Sequence, residues 1–464
     1  MKQITLIIIT ILTSWSVYCQ DITGDWHGVL KVQGMQLQLA FHITKTGENY
    51  STTMDVPAQN AKGILATMTS FENSVLAFKV APMGIEYKGT LNPENGIEGN
   101  FNQSGQSFPL DLTQGAREAL LRPQEPIKPY PYYSEEVKFP SDNGKVELAG
   151  TLTLPKKEGN FPVAILITGS GPQNRDEEFM MHKPFLVLAD YLTRSGIAVL
   201  RYDDRGYAES TGDHGSATSL DFAKDVQSAI DYMKSRKEIN KNHIGLIGHS
   251  EGGLIAPLVA SKSKDVDFIV LLAGPGLSGD KILLKQQALM GKLAGRSDSL
   301  TQIVIENTKA AYDIVRKIDN DELLRIELSE YVKQKLEADP SGKETRAMSN
   351  EVVINKEVNQ LMQPWMKYFL RYDPATSLKK VQCPVLAING DKDVQVTPDN
   401  LVVISNALKE SGNNNITIKE FPNLNHLFQE CKTGAMSEYA TIEQTFAPIA
   451  LREVSDWILK QVSE

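Results

Sequence analysis

The chain has 464 residues, a formal net charge of -9 at pH 7 and a sequence pI near 5.5. A chain of this length can form two domains with a large hydrophobic core. Its acidic balance and interspersed charges argue against a nucleic-acid partner, and no cluster of histidine, cysteine and carboxylate residues has the spacing of a metal site.

Residues 1–20 have the pattern of a secretory signal peptide. Lys2 precedes an apolar run from Ile4 to Trp15, and cleavage is expected near Cys19 or Gln20. The mature protein is therefore expected to be exported, either to the periplasm or out of the cell. A lipid anchor on Cys19 is the minority alternative, because the three preceding residues form a poor lipoprotein box. No later segment is long and apolar enough to span a membrane.

Residues 21–115 are predicted to form a small all-β domain, either a barrel or a sandwich. Apolar and more polar residues alternate between Met35 and Ile43, which is typical of a half-buried antiparallel strand. The pair Asn95-Gly96 between two strand-like runs indicates a hairpin turn. A proline-rich linker over residues 116–133 is expected to be extended and fairly stiff.

Residues 134–464 alternate between strand and helix patterns, which predicts an α/β fold with a parallel sheet covered on both faces. Two helical stripes are expected to face the core of this domain. The first contains Phe185, Leu188, Ala189 and Leu192, and the second contains Phe222, Val226, Ala229, Ile230 and Met233.

The segment Gly248–Gly252 directly follows the apolar run 244–247 and precedes a helix-like run that includes Leu254. Its sequence, Gly-His-Ser-Glu-Gly, predicts a nucleophile elbow in this context, which is a sharp strand-to-helix turn that exposes a serine hydroxyl. Glycine at the flanking positions avoids a steric clash in such a turn. Ser250 is therefore the candidate nucleophile.

A carboxylate and an imidazole follow the serine in the chain order that such an elbow requires. The strand-like run 385–389 leads into a loop with Asp391 and Asp393, and a later strand-like run leads to His426. Asp393 is the predicted acid, and Asp391 is its main competitor. His426 is the predicted base, because no other histidine follows Asp393.

The predicted roles follow from the chemistry of acyl transfer. His426 would take the proton of the serine and return it to the leaving group, while Asp393 would hold the imidazole tautomer. The developing oxyanion needs two amide donors. One is expected to be the backbone NH of Glu251 and the other the NH of Ser170, with Gly171 as the alternative, on a glycine-rich loop after an earlier strand.

Together with the elbow, the segments Thr168–Asp176 and Arg201–Gly206 resemble the α/β-hydrolase superfamily, in particular its bacterial esterase and serine aminopeptidase-like branch. The resemblance covers roughly residues 134–464 and implies a mostly parallel eight-stranded sheet wrapped by helices. It also implies carboxylic ester hydrolysis as the commonest activity, with no metal or organic cofactor. The usual His-Gly of the oxyanion loop is Thr168-Gly169 in this sequence.

Between about residues 277 and 376 amphipathic helices replace the strands, which predicts a helical lid between the sixth and seventh strands. Two apolar stripes are separated by a break at Asp339–Gly342. The stripes contain Leu324, Leu328, Tyr331 and Val332, and then Trp365, Met366 and Phe369. A lid would form much of the substrate pocket. A plain helical insertion or a dimer contact is the alternative.

Other polar residues near these motifs are given structural interpretations. The charged turn Asp203–Arg205 is interpreted as ion pairing, and His249 as a residue that packs or bonds structurally. Arg175, His182 and Lys183 are expected on the solvated surface, with a place at the entrance to the site as the alternative.

The sequence therefore predicts an exported serine hydrolase that cleaves carboxylic esters through an acyl-enzyme. A serine aminopeptidase-like peptidase on the same residues is the alternative, and a non-catalytic binding module is a further one. The expected partner is a small-molecule ester or a peptide, and a homo-oligomer is left open. Export permits a disulfide between Cys383 and Cys431, which the sequence does not decide.

Overall fold

A computed structural model describes residues 21–32, 35–59, 61–103, 105–115, 122–338 and 349–463. The predicted signal peptide, residues 116–121 of the predicted linker and the predicted break at Asp339–Gly342 lie outside these residues. The chain divides into two structural units. The first consists mainly of the described residues up to Gly115, and the second mainly of those from Arg122 onward.

The N-terminal strands form one curled sheet. They are β1 (Gly24–Val32), β2 (Met35–Thr46), β3 (Asn49–Val56), β4 (Ala61–Leu65), β5 (Met68–Glu72), β6 (Val75–Val80), β7 (Ile85–Leu91), β8 (Gly96–Gln103), β9 (Gln106–Pro109) and β10 (Leu112–Gln114). Their order is β4-β3-β2-β1-β10-β8-β7-β6-β5, with β9 paired to β8. Because β3 also contacts β5, the sheet curls towards a barrel, which is one of the two predicted arrangements.

The predicted local features of this sheet are confirmed. Leu39, Phe41 and Ile43 are buried along β2, as the alternation predicts. Strands β7 and β8 pair in antiparallel fashion, and the turn between them places Asn95 at a φ of 61°. Asparagine adopts this left-handed conformation more readily than most residues, which explains its position in the hairpin.

The second unit contains an eight-stranded sheet within the described residues. Its strands are β11 (Tyr133–Ser141), β12 (Val146–Leu154), β13 (Phe161–Ile167), β14 (Ala198–Tyr202), β15 (Ile239–His249), β16 (Phe268–Leu272), β17 (Val385–Gly390) and β18 (Ile416–Phe421). Their order is β11-β12-β14-β13-β15-β16-β17-β18. The first two pairings are antiparallel and the rest are parallel. The predicted α/β-hydrolase fold is therefore confirmed.

Helices cover both faces of this sheet. Outside the segment between β16 and β17 they are α1 (Pro184–Arg194), α2 (Ser219–Ser235), α3 (Gly252–Ala260), α10 (Asp399–Glu410), α11 (Met436–Tyr439) and α12 (Pro448–Ser463). Apolar residues of α2, α3 and α10 pack on one face, and those of α1 and α12 pack on the other. The predicted stripes of α1 and α2 lie in these two cores, with Phe222 at the margin.

A helical insertion separates β16 from β17. Its described helices are α4 (Gly279–Leu293), α5 (Asp298–Lys317), α6 (Asp321–Ala338), α7 (Asn350–Leu361), α8 (Pro364–Arg371) and α9 (Ala375–Leu378). The insertion has a small core of its own, in which Leu324, Leu328 and Val332 of α6 are buried against Leu370 of α8. Its position between the sixth and seventh strands is the one that the sequence predicts.

Candidate active site

Ser250 lies at the sharp turn between β15 and α3. Its φ of 52° is in the left-handed region, and its backbone NH donates to the carbonyl oxygen of Leu272 at 2.9 Å. A Cβ at Gly248 would lie 2.0 Å from the carbonyl oxygen of Gly252, and one at Gly252 would lie 2.1 Å from that of Ile167. Both glycines are therefore required by close backbone approach. The turn has the strained geometry that the motif predicts.

Asp393 and His426 meet at the carboxyl ends of neighbouring strands. Since β17 and β18 are parallel neighbours, the loops that leave them emerge at the same edge of the sheet. The Oδ2 atom of Asp393 lies 2.7 Å from Nδ1 of His426, and both side chains are buried. The Oδ1 atom of Asp393 accepts hydrogen bonds from the backbone NH groups of Gln395 and Val396. These contacts fix the carboxylate against the imidazole ring.

Asp391, the competing acid, has a different partner. Its side chain is exposed, and Oδ1 accepts a hydrogen bond from the backbone NH of Asn423 at 2.6 Å. That bond joins the loop after β17 to the loop after β18. The geometry therefore pairs His426 with Asp393, while Asp391 serves as a loop connection.

The nucleophile turn and the His426 loop are in contact. His249, the last residue of β15, donates from Nε2 to the carbonyl oxygen of His426 at 2.9 Å. The two imidazole rings have centroids 4.7 Å apart. His249 thus has the structural hydrogen-bonding role that the sequence suggested, and it connects the residue before Ser250 to the candidate base.

The loop after β13 carries one of the two predicted oxyanion donors, the backbone NH of Ser170. A Cβ at Gly169 would lie 3.3 Å from Cβ of Ser250, so this loop passes directly beside the candidate nucleophile. The backbone NH of Gly169 donates to Oε1 of Glu177 at 2.7 Å. In the described part of the chain, the NH groups of Ser170 and Glu251 donate to no other protein group. Both predicted donors are therefore available for hydrogen bonding.

Charged residues hold this loop in place. Asp204 accepts from Oγ1 of Thr168 at 2.7 Å and from the NH of Gln173 at 2.9 Å, and Arg175 pairs with Asp203. Arg205 pairs with Asp225 at 2.7 Å in the same region. Asp203 and Arg205 thus form the expected ion pairs, whereas Asp204 accepts hydrogen bonds from neutral groups and shapes the loop beside Ser250.

The expectation that His182 lies on the solvated surface is wrong. Its side chain is fully buried, and Nε2 and Nδ1 contact the carbonyl oxygen of Tyr439 and Oγ1 of Thr445. Burial lowers the pKa of His182 to about 4. The sequence grouped His182 with Arg175 and Lys183 as surface residues. The neutral ring of His182 instead bonds to a segment far along the chain.

The side chain of Glu251 is a contact that sequence reasoning did not find. It is buried beside the elbow, and Oε1 accepts from Oγ of Ser219 at 2.6 Å and from Nε1 of Trp365 at 2.8 Å. Trp365 belongs to α8, so the helical insertion contacts the residue that follows Ser250. Burial raises the pKa of Glu251 above its ordinary value, and the two hydrogen bonds only partly offset this effect.

Replacing Glu251 with glutamine should stabilise the protein progressively as the pH rises. A carboxyl group whose folded-state pKa is raised contributes stability below its ordinary value, and this contribution is lost as the pH rises through the folded pKa. Glutamine keeps an oxygen that accepts both hydrogen bonds but cannot ionise. The difference in unfolding free energy between Glu251→Gln and the wild type should therefore grow from about pH 4 upwards until the pH passes the raised folded-state pKa. Denaturant titrations at several pH values measure it.

The matched control is Glu251→Ala, which removes the acceptor altogether. It leaves the hydroxyl of Ser219 and the indole NH of Trp365 without their partner, so a loss of about 2 kcal/mol or more is expected at every pH. A pH-independent difference between Glu251→Gln and the wild type would contradict a raised pKa at this position.

The described residues contain no group of three or more histidine, cysteine or acidic side chains placed to hold a metal ion. Over the same residues, no helix is long and apolar enough to cross a membrane. Cys383 and Cys431 are both free thiols. Burial raises the pKa of Cys383 to about 12 and that of Cys431 to about 11, so neither thiol is a ready nucleophile.

Comparison with known proteins identifies relatives of this chain. It is 28% identical over 284 residues to Esterase EstD of Thermotoga maritima, and the match covers 60% of this chain and 58% of that protein. It is 22% identical over 214 residues to an uncharacterized 31.7 kDa protein of Escherichia coli, covering 46% of this chain and 68% of that protein. Among solved structures, Pyrococcus furiosus esterase Pf2001 is similar, with a TM-score of 0.44 and 15% identity over 75% of this chain and 99% of that chain.

The chain also matches a protein-family model. The hydrolase family described as Serine aminopeptidase, S33, matches residues 183–430, which is more than half of the 464-residue chain. The matched region begins just before α1 and extends past His426, so it includes both Ser250 and Asp393. This chain therefore belongs to the Serine aminopeptidase, S33, family of hydrolases.

Proposed function

We propose that this protein is an exported serine hydrolase that cleaves carboxylic esters through an acyl-enzyme. Ser250 is the nucleophile, His426 the general base and Asp393 the acid. The observation that carries the proposal is the buried pair of Asp393 and His426, 2.7 Å apart, in contact with an elbow whose serine has a φ of 52°. The similarity to Esterase EstD supports esters as the substrate class.

The chemistry proceeds in two halves. His426 accepts the hydroxyl proton of Ser250 as Oγ attacks the ester carbonyl, and it then gives that proton to the departing alcohol. A water molecule next attacks the acyl-enzyme and loses a proton to His426, which returns it to Oγ of Ser250 as the bond to the acyl group breaks and the carboxylic acid leaves. Asp393 accepts from Nδ1 throughout, which keeps Nε2 of His426 free to exchange protons and stabilises the imidazolium.

The oxyanion is held by the backbone NH groups of Ser170 and Glu251. Each donates to no other protein group in the part of the chain that the structure describes, and the turn at Gly169 brings the loop beside Ser250. Donors that are fixed before the reaction stabilise developing charge more effectively than water does. The bonds from Asp204 to Thr168 and Gln173 hold this loop in position.

The helical insertion acts as a lid that selects the substrate. Its α8 helix contacts Glu251 through Trp365, and Trp365 stacks on Phe369 with ring centroids 4.9 Å apart. An indole beside the elbow suits a substrate with an apolar acyl or alcohol group. Substrate preference is therefore expected to change with substitutions in α8.

Peptidase activity is the alternative that the family description keeps open. A peptidase that removes N-terminal residues needs a carboxylate free to bind the substrate ammonium group. The carboxylates of Glu251 and Asp393 already accept hydrogen bonds from protein groups, and the carboxylate of Glu177 is buried and contacts His249. This arrangement favours the esterase over the peptidase.

Export is proposed on the pattern of residues 1–20. Cell fractionation followed by N-terminal sequencing tests it. Mature protein that begins after about residue 20 in the periplasm or the medium is expected. Full-length protein that stays in the cytoplasm would contradict export without affecting the proposed chemistry.

The activity is tested by comparing a chromogenic short-chain acyl ester with an aminoacyl anilide, with Ser250→Ala beside the wild type. Turnover of the ester that depends on Ser250 is expected, with little turnover of the anilide. Faster turnover of the anilide would replace the esterase with the peptidase. Failure of both substrates, together with no labelling of Ser250 by a fluorophosphonate probe, would favour the non-catalytic binding module.

A further inference from the structure

A second histidine and carboxylate pair lies beside the proposed triad. Nδ1 of His249 is 2.8 Å from Oε1 of Glu177, and the same oxygen accepts from the NH of Gly169 at 2.7 Å. On the other side of the ring, Nε2 of His249 is 2.9 Å from the carbonyl oxygen of His426. This chain of contacts joins the oxyanion loop, the residue before Ser250 and the loop of the base.

The partners determine the protonation of the His249 ring. A carbonyl oxygen can only accept, so Nε2 must carry a proton to bond to His426. An ionised carboxylate also only accepts, so Nδ1 must carry a proton as well. In a neutral pair the proton would lie on Oε1 of Glu177, the oxygen that also accepts from the NH of Gly169, and that hydrogen bond is stronger to a carboxylate than to a carboxylic acid. The favoured arrangement is an imidazolium paired with a carboxylate.

Both members of this pair are buried, so each needs the other as a partner. Glu177 and His249 are 3% and 6% exposed. Burial of His249 alone would lower its pKa, but the Glu177 carboxylate, the His426 carbonyl and the charge of Asp393 together raise it above its ordinary value. The titratable groups that face the ring are therefore Glu177 from the loop after β13, and His426 and Asp393 from the loops after β18 and β17. A buried ion pair that loses one partner leaves an uncompensated charge.

Backbone strain at Glu177 is an independent indication. Its φ of 52° is in the left-handed region, which is unfavourable for a residue with a Cβ by about 1–3 kcal/mol. Such strain persists where the surrounding structure holds the residue in place, and it is concentrated at functional sites. The strained backbone aims the carboxylate at Gly169 and His249 together.

We propose that Glu177 and His249 form a buried ion pair that positions the oxyanion loop and His426 around Ser250. The inference rests on the proposed function, since it assigns positioning residues for the same reaction. Neither residue touches the reacting atoms in this role. Glu177 sets the position of the loop that carries the NH of Ser170, and His249 sets the backbone of His426.

Two amide variants of His249 separate the two sides of the ring. Asparagine places its NH₂ group near the position of Nδ1, so it keeps the bond to Glu177 and loses the bond to His426. Glutamine reaches towards the position of Nε2, so it keeps the bond to His426 and loses the bond to Glu177. Glu177→Gln is the third variant, because it preserves the shape of the carboxylate and removes its charge.

Each of these variants is expected to lower kcat on the acyl ester by about 10- to 100-fold, with KM changed by less than about 3-fold. Rates are expressed per active site labelled by a fluorophosphonate, so that unfolded protein does not count. His243→Asn is the matched control: it lies on the same strand, where Nδ1 pairs with Asp267 at 2.9 Å, and its kcat should equal that of the wild type. A purely structural role would lower the melting temperature and leave kcat per labelled site unchanged.

The protonation of His249 is measured on the wild-type protein, independently of activity. Nitrogen NMR of ¹⁵N-histidine-labelled protein should show both ring nitrogens of His249 protonated at neutral pH, with the signal assigned through His249→Asn. An unprotonated ring nitrogen in the wild type would overturn the ion pair. Wild-type kcat in all three variants, with Ser250-dependent ester turnover intact, would overturn the positioning role alone. Absence of any Ser250-dependent turnover would remove the proposed function and the positioning role together.

Discussion

Alanine at Ser250 and alanine at His426 should each lower kcat on a short-chain acyl ester by roughly 10⁴- to 10⁶-fold, and the double variant should lose no more. Without the hydroxyl there is no nucleophile, and without the imidazole the hydroxyl keeps its proton. Residues that act as one unit therefore give losses that do not add. Initial rates for the two single variants and the double variant measure this, with residual rates compared to the uncatalysed reaction.

Folding of these variants is expected to be retained. Alanine and serine pay similar costs for the left-handed backbone at position 250, so thermal unfolding of Ser250→Ala should resemble that of the wild type. His426 is buried and bonded to Asp393, so His426→Ala should melt at a lower temperature while remaining folded. Losses that multiply in the double variant would mean that the two residues act independently, which is incompatible with a shared proton transfer.

The fold and the elbow could be predicted from the sequence because both depend on local patterns. The periodicity of apolar residues in the C-terminal domain predicts which side chains face the core. The structure agrees with this prediction for nearly all of the predicted residues of α1 and α2. The elbow is equally local. Gly248 and Gly252 are needed because a Cβ atom at these positions would lie only 2.0 and 2.1 Å, respectively, from a backbone carbonyl oxygen.

The sequence favours Asp393 over Asp391 as the acid, but it cannot show which carboxylate faces His426, because that depends on how two loops meet. A Cβ at Gly390 would lie 2.1 Å from the carbonyl oxygen of Leu424, so the strand end passes tightly against the loop of His426. From that contact the chain turns Asp391 outward and Asp393 inward. The local sequence around Asp391 and Asp393 does not show which way each side chain points.

The hydrogen bonds around the site join residues that are far apart in the chain, so local sequence patterns do not predict them. Glu177 bonds to His249 72 residues further along the chain, and Glu251 bonds to Trp365 114 residues further along. His182 is buried through a bond to Tyr439, 257 residues away. Each is an ordinary polar residue in its local context. Only tertiary contacts show that it is buried and paired.

Asparagine at position 393 should lower kcat by about 10⁴-fold, whereas asparagine at position 391 should leave it within about 2-fold of the wild type. Asp393 accepts from Nδ1 of His426, and the amide group of asparagine can present an NH₂ there instead, which favours the wrong tautomer of the ring. At position 391 the amide oxygen can still accept from the NH of Asn423, so the loop connection survives.

The two substitutions are chemically identical and two residues apart, so each controls for the other. Both variants are measured on the same acyl ester, with active sites counted by fluorophosphonate labelling and folding followed by thermal unfolding. A large loss at Asp391 with little change at Asp393 would mean that the loops rearrange and that His426 takes its proton partner from Asp391. Equal and small losses at both positions would mean that the imidazole works without a carboxylate. In that case the 2.7 Å contact between Asp393 and His426 contributes to stability and not to the proton transfer.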